Sequence, residues 1–390
     1  MRFSDVLLAH WLMLTVSHPT VNQYVRALVA ALDRRGALLE FHTTFAVGRR
    51  SVNIGKHKLR QHPYRETLRL LGQRLRLGWL TRHEIGWASV DSVAREFDRC
   101  VAQGLADDGA VYCYEDSAFF TFRAAERMGI KRYYELPILY WESARQLLQE
   151  EADRYPEWAP TLLGTRDSTA KLERKSAEIR LADLVICPSK RVQLSLPSGT
   201  RSLVAKYGCP TPIEQRPVRS TPRLRVLFAG TMTQRKGLAD LFSALKRLKR
   251  SDVELLILGS PVVPLEFYRK IYPHFQYESP RPHWKVKQLM LACDILVLPS
   301  IVEGRAMVQL EALSCGLPIV VTPNAGAEDL VEVGQTGFLV PIRAPEKLAE
   351  TIDWIADHRA WINDVRASVL QKARQSSWDG YTAKVLQAIL

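Results

Sequence analysis

The 390-residue sequence has little of what marks several large classes of protein. Its six cysteines, Cys100, Cys113, Cys187, Cys209, Cys293 and Cys315, never form a C-x-x-C pair, so neither a zinc site nor a disulfide framework is indicated. No run reaches the ~18 uninterrupted apolar residues of a membrane-spanning helix. The opening MRFSDVLLAHWLMLTVSHP is apolar, but Asp5 and His10 interrupt it and no small-x-small cleavage site follows, so it reads as a first strand from Asp5 to Val16. No internal repeat, low-complexity tract or recognised nucleic-acid reader motif is present. Acids are the scarce charge: 41 Asp and Glu against 54 Lys and Arg leave a net +13, which suits an anionic partner.

What is there fits a soluble globular chain of two domains, with 47% hydrophobic and 24% charged residues. The positive charge is concentrated. Arg49, Arg50, Lys56, Lys58, Arg60, Arg65, Arg69, Arg74, Arg76 and Arg82 face a single acid, Glu66, and Leu68, Leu70, Leu71, Leu75, Leu77, Trp79 and Leu80 run through the same stretch. A basic amphipathic segment of this kind lies on anionic lipid headgroups, caps an acceptor cleft, or simply presents a solvated helix face.

The chain is organised around CDILVLPSIVEGRAMVQLEALSCGLPIVVTPN, from Cys293 to Asn324. The apolar run Asp294 to Pro299 predicts a strand buried on both faces of a parallel sheet, and Ala306 to Cys315 predicts a helix stopped by Gly316 and Pro318. Glu303 and Glu311 flank the start of that helix. At ~100° per residue they would lie roughly 80° apart on one helix, so they do different jobs. Glu303 falls in the loop at the carboxyl end of the strand, where open α/β sheets bind ligands, and Glu311 reaches the same crevice from the second turn. Gly304 and Ala306 leave the backbone between them bare, so the first amides, Gly304 through Met307, can face an anion with the helix dipole behind them.

The pair Glu303 and Glu311 within EGRAMVQLEALSCGLPIVVT resembles the E-x7-E signature of the retaining glycosyltransferases of family 4, the glycosyl transferases group 1. GTMTQRKGLADLF near residue 230 is similar to a second family motif, and the resemblance runs over roughly 222 to 390. It implies the GT-B fold, an α/β architecture of two facing Rossmann-like domains with mostly parallel sheets. Residues 1–215 are then an acceptor-binding domain, 222–375 a nucleotide-sugar-binding domain joined through a Pro-rich linker at 211–222, and 376–390 a helix crossing back to the first domain. In the family the first Glu lies against the transferred sugar, the second holds the ribose hydroxyls, and the Lys before the motif glycine contacts the diphosphate. By resemblance Glu303 is the catalytic candidate. The donor-binding candidates are Thr231, Arg235, Lys236, Gly304, Arg305, Ala306, Met307, Val308 and Glu311. Thr231 stands where a second cation is frequent in the family, so Arg235 is its substitute.

The first domain departs from the family at two places. Its first turn, usually glycine-rich, is SHPTVN, so Ser17, His18 or Asn22 contact ligand through side chains, or Ser17 or Thr20 caps the following helix, the favoured reading. The strand ending Glu135-Leu136-Pro137 has no histidine where relatives place one near the sugar, and Glu135 is the substitute. Glu115, with Asp116 and Ser117 before the helix at Phe119, orients an acceptor hydroxyl or, by preference, caps that helix. The acceptor-binding candidates are therefore Asn22, Glu115 and Glu135.

The expected function is a metal-independent retaining glycosyltransferase of cell-envelope polysaccharide or glycolipid synthesis. It would need no cofactor and use a nucleotide sugar as substrate, its base open between uracil, guanine and adenine. The other expected partners are a glycan or lipid-linked acceptor and an anionic membrane surface met by residues 49–82, with no nucleic acid, placing the chain in the cytoplasm or on the inner face of the membrane. The alternative is a catalytically silent relative that binds sugar nucleotide as a sensor or scaffold. Because Glu311, Lys236 and the 304–307 amides all lie beyond the linker, the second domain is expected to bind the donor by itself.

Overall fold

The computed structural model describes residues 13–48, 51–107, 109–215 and 223–390. Residues 5–12 of the expected first strand, Arg49 and Arg50 of the basic segment, and 216–222 of the linker lie outside them.

The first domain is built on seven short strands: β1 Leu14–Ser17, β2 Leu38–Thr43, β3 Leu59–Gln61, β4 Ala110–Tyr114, β5 Lys131–Glu135, β6 Leu184–Cys187 and β7 Ser202–Val204. They lie in the order β3-β2-β1-β4-β5-β6-β7, and every ladder is parallel. The second domain carries β8 Leu224–Ala229, β9 Val253–Leu258, β10 Phe275–Glu278, β11 Ile295–Leu298, β12 Ile319–Val321 and β13 Gly337–Leu339, in the parallel order β10-β9-β8-β11-β12-β13. Inner strands such as β6 and β11 are buried along their whole length, which is why they read as unbroken apolar runs. All six cysteines are free, and all but Cys100 are buried.

Several segments differ from their sequence reading. The basic stretch is not one helix but a 3-10 turn at Lys56–Lys58, the edge strand β3, and helices at Tyr64–Arg74 and Gly78–Thr81. Tyr207 to Pro210 carries no strand; β7 lies earlier, at Ser202–Val204. Tyr155 leads into a 3-10 helix at Pro156–Thr161 whose Trp158 leaves its own domain. The indole is packed edge-on against Phe242, Phe267 and Tyr268 of the second domain, with ring centroids 5.9, 5.2 and 5.7 Å away.

The terminal helix Trp378–Ile389 lies on the first domain. Tyr381 packs against the ring of Tyr207 at 5.5 Å, and Tyr133 donates its hydroxyl hydrogen to the Ile389 carbonyl at 3.2 Å. No helix among the described residues is long and apolar enough to cross a membrane.

Candidate active site

Open parallel sheets bind ligands beyond the carboxyl ends of their strands, at the point where the strand order reverses. In the second sheet that point falls between β8 and β11, so the loops at 230–237 and 299–306 wall it. Two glycines let these loops close up. Gly237 turns at φ +73°, and a Cβ there would come within 2.0 Å of the Pro299 carbonyl oxygen. At Gly304 a Cβ would meet the Pro137 carbonyl oxygen of the first domain at 1.7 Å, while Ser189 donates its hydroxyl hydrogen to the Gly304 carbonyl at 2.7 Å. What excludes a side chain at 304 is the close approach of the two domains. Ile301 and Val302 are buried in an apolar cluster with Leu136 and Leu139 of the first domain, and their N–H groups donate to the Arg235 carbonyl at 2.9 and 3.2 Å. The two loops therefore behave as one unit.

Lys236 and Glu303 meet inside it. The ammonium donates to Glu303 Oε2 in a short charge-assisted bond, and Arg235 Nη1 lies 3.5 Å from the same oxygen and 3.1 Å from the Val302 carbonyl. Burial alone would push the Glu303 carboxyl up, but the two cations outweigh it and hold it below its usual range. Burial lowers the Lys236 ammonium and Glu303 pulls the other way, leaving it below its ordinary value. Glu311 is set differently. It sits on the helix Met307–Ser314 with its side chain 14% exposed, His283 Nδ1 lies 3.6 Å away, and burial pushes its carboxyl up to about 7 against the opposing charge of Lys287. Two carboxyls of one motif thus differ in kind: Glu303 is an ion held by cations, while Glu311 titrates near neutrality. Met307 and Val308 are half-buried where the helix begins, Ala306 is buried, and Thr231 stands exposed at the mouth.

Residues 223–358 match the family model of the glycosyl transferases group 1. That match lies within the second domain and covers about a third of the chain. A D-inositol 3-phosphate glycosyltransferase of Catenulispora acidiphila is 28% identical over 177 residues, 41% of this chain and 42% of the relative, so the chain spans less than half that protein's length. Among solved structures, sucrose-phosphate synthase from Thermosynechococcus elongatus superposes with a TM-score of 0.67 at 15% identity, covering 96% of this chain and 97% of its own. Anabaena HepE, in complex with UDP and glucose, superposes at 0.64 and 16% identity, covering 97% and 99%. The two facing domains have the GT-B fold, as the motifs imply.

The group 1 signature region also carries a residue whose expected place is corrected. Arg305 does not face the donor crevice: its guanidinium is fully buried, bound to Asp329 at 2.7 and 3.2 Å and to the Gly326 carbonyl at 3.2 Å. A buried cation needs a carboxylate, and Asp329 is the one within reach. The three acceptor candidates have partners within the first domain. The Asn22 amide donates to the Tyr24 hydroxyl at 2.6 Å, and Glu115 is ion-paired with Lys175 at 2.8 Å. Glu135 is 1% exposed and accepts from the Tyr207 hydroxyl at 3.0 Å, with Tyr112 and Tyr381 beside it. Side chains alternate along β5, so Glu135 shares with Tyr133 the face covered by the terminal helix and has no line to a sugar.

The favoured caps are absent too. Asn22, not Ser17 or Thr20, is the N-cap residue of Gln23–Arg34, and it makes no side-chain cap bond. The helix at Phe119 is capped from a distance by Glu178, which accepts from Ala118 and Phe119 N–H at 3.1 and 3.2 Å. Burial pushes the His18 ring down to about 3, so it stays neutral at ordinary pH. Unforeseen in the sequence were Pro137 and Ser189, which seat Gly304, and Gln234, which no local pattern distinguishes. Among the described residues one trio of metal-type ligands, His83, Glu84 and Asp167, comes together in the first domain, where the Lys171 ammonium already lies 3.0 Å from Asp167.

The buried Glu135 carboxyl sets a pH dependence. Desolvation pushes it up to about 7 from an unfolded value near 4.5, so the folded state holds the proton more tightly and this contribution to stability is lost as pH rises through that window. Glu135→Gln should therefore melt close to the parent at pH 4 and above it at pH 8.5, by at most about 3 kcal/mol in stability. Equal melting temperatures at both pH values would show that Glu135 is not buried as a neutral acid.

Proposed function

We propose that the chain is a retaining glycosyltransferase that moves a sugar from a nucleotide donor to a glycan or lipid-linked acceptor. The observation that carries this is the Lys236–Glu303 pair at the strand-order reversal, with Glu311 on the adjoining helix. A donor diphosphate brings about two negative charges to the one place where Lys236, Arg235 and the amides at the start of Met307–Ser314 converge. As it takes up the Lys236 ammonium, Glu303 is left beside the anomeric carbon, where it stabilises the positive charge that develops as the bond to the leaving phosphate breaks. Arg235 and Lys236 meet the leaving-group charge, so no metal is assigned a step. Glu311 accepts from ribose hydroxyls in the ground state. The UDP bound to HepE supports a nucleotide in this crevice. A melting-temperature screen against UDP, GDP and ADP sugars tests the reading. A ligand at one hundred times its dissociation constant adds ~2.7 kcal/mol, and Glu311→Ala should weaken binding of that ligand by roughly 10- to 100-fold. No shift with any nucleotide in a folded protein sinks it, and a shift without product release from any acceptor would mark a sensor instead.

The acceptor side of the proposal is a cytoplasmic enzyme working on an envelope precursor at an anionic membrane face. Tyr64, Leu71, Leu75, Trp79, Ile85 and Val90 are all exposed and come from one stretch of the first domain. Lys58, Arg60, Arg65 and Arg69 are engaged by Asp33, Glu40, Glu96 and Glu66. Lys56, Arg74, Arg76 and Arg82 make no ion pair among the described residues, each worth ~1 kcal/mol near an anionic surface at low salt. Sedimentation with phosphatidylserine vesicles at low and high salt should show binding that salt weakens and that Leu75→Ser with Trp79→Ser removes. Absence of binding at low salt would return the segment to a solvated face and leave a soluble acceptor.

A further inference from the structure

The loop after β8 carries Lys236 and Arg235, yet much of what fixes its shape belongs to the other domain. Gln234, fully buried, uses every polar atom of its side chain. Its Nε2 donates to Glu151 Oε2 at 2.6 Å and to Asp240 Oδ2 at 2.8 Å, and its Oε1 accepts from the Ala239 N–H at 2.8 Å. Its own N–H donates to Thr161 Oγ1 at 3.2 Å. Glu151 and Thr161 lie in the first domain. The Glu151 carboxylate has no exposed surface, and its second oxygen accepts from Arg343 Nε at 2.5 Å, so it bridges two residues of the second domain. Arg154, one turn on, reaches Asp240 at 2.8 Å.

A second line of contact runs through Trp158. Its indole packs on Tyr268, whose hydroxyl donates to the Met232 carbonyl of the same loop at 2.6 Å. The loop is thus held at Met232 and at Gln234. Further along, the Lys236 N–H donates to the Thr233 carbonyl at 3.1 Å and the Gly237 N–H to the Gln234 carbonyl at 2.9 Å. A shift of Gln234 therefore carries Lys236 with it.

We infer that residues 151–161 form a strap from the first domain that positions the donor loop, with Glu151, Trp158 and Thr161 as positioning residues for Lys236 and Arg235. The inference rests on the reading of this loop as the diphosphate site, and it reverses the expectation that the second domain holds the donor by itself. A neutral amide and a carboxylate, both stripped of water, make a bond that is costly to leave half made, so the loop keeps its shape only while the strap is seated. Donor affinity then reports on the contact between domains.

The test uses the full chain, with Glu151→Ala, Gln234→Ala, their double variant, and the milder pair Thr161→Val and Thr161→Ser. Hydrogen exchange of the 230–237 amides is measured without ligand. The dissociation constant is measured for whichever of UDP, GDP or ADP stabilises the parent, and the KM values for donor and acceptor are compared. Glu151→Ala should speed exchange in the loop, weaken the nucleotide about tenfold and raise donor KM while acceptor KM holds. The double variant should fall short of the sum of the two single effects, because the Gln234–Glu151 bond is already lost in each. Thr161→Ser should behave as the parent and Thr161→Val should not. Parental affinity and exchange in folded Glu151→Ala and Thr161→Val, or an equal rise in acceptor KM, overturns the strap. If no nucleotide binds the parent, the donor reading fails on its own, and exchange alone decides the strap: parental rates in the variants overturn it, faster rates support it.

Discussion

A buried lysine and a half-buried glutamate, brought together by loops from two strands, are the constraint on which the rest of this structure depends. Neither tolerates isolation: removing one partner of a buried pair strands a charge at a cost of about 3–5 kcal/mol, more than most single contacts return. The Lys236–Glu303 pair therefore dictates that the loops at 230–237 and 299–306 stay in register. Gly237 against Pro299 is the steric counterpart of that electrostatic demand. In the proposed reaction the same pair is a device for exchange, since the ammonium that neutralises Glu303 in the free protein is the group a diphosphate would claim.

The first domain serves this arrangement more by packing than by offering polar groups to a ligand. Pro137 and Ser189 seat Gly304, Leu136 and Leu139 bury Ile301 and Val302, and Trp158 enters the core of the second domain. Polar residues expected to face an acceptor are spent inside the domain. Glu135 and Tyr207 meet Tyr381 where the terminal helix crosses, and Glu115 answers Lys175. Glu135 with Tyr207 and Glu115 with Lys175 are polar pairs whose partners lie far apart in sequence, which is how polar groups come to be buried.

That is also where sequence reasoning ran out. Runs such as Ile295 to Leu298 and Val253 to Leu258 are legible because a strand covered on both faces has one dominant demand, apolarity. The edge strand β3 is three residues long and mostly exposed, and β7 is equally short and half-buried, so neither carries that signal. Glu303, Glu311 and Lys236 are legible through motif spacing. Arg305 lies within the same motif and yet turns inward, because its destination depends on Asp329 in the loop beyond β12. Glu135 could be placed at a strand end from sequence, but not on a face, since that depends on which helix covers β5.

Replacement of Glu303 by glutamine tests the central claim most directly, with donor affinity and turnover measured on the same preparation. Glu303→Gln frees the Lys236 ammonium from its carboxylate while keeping the side chain's shape. The account predicts donor binding as tight as the parent's or tighter, with turnover lower by about 100-fold or more. Turnover near the parental rate, or a loss of affinity that accounts for the whole loss of rate, would contradict it.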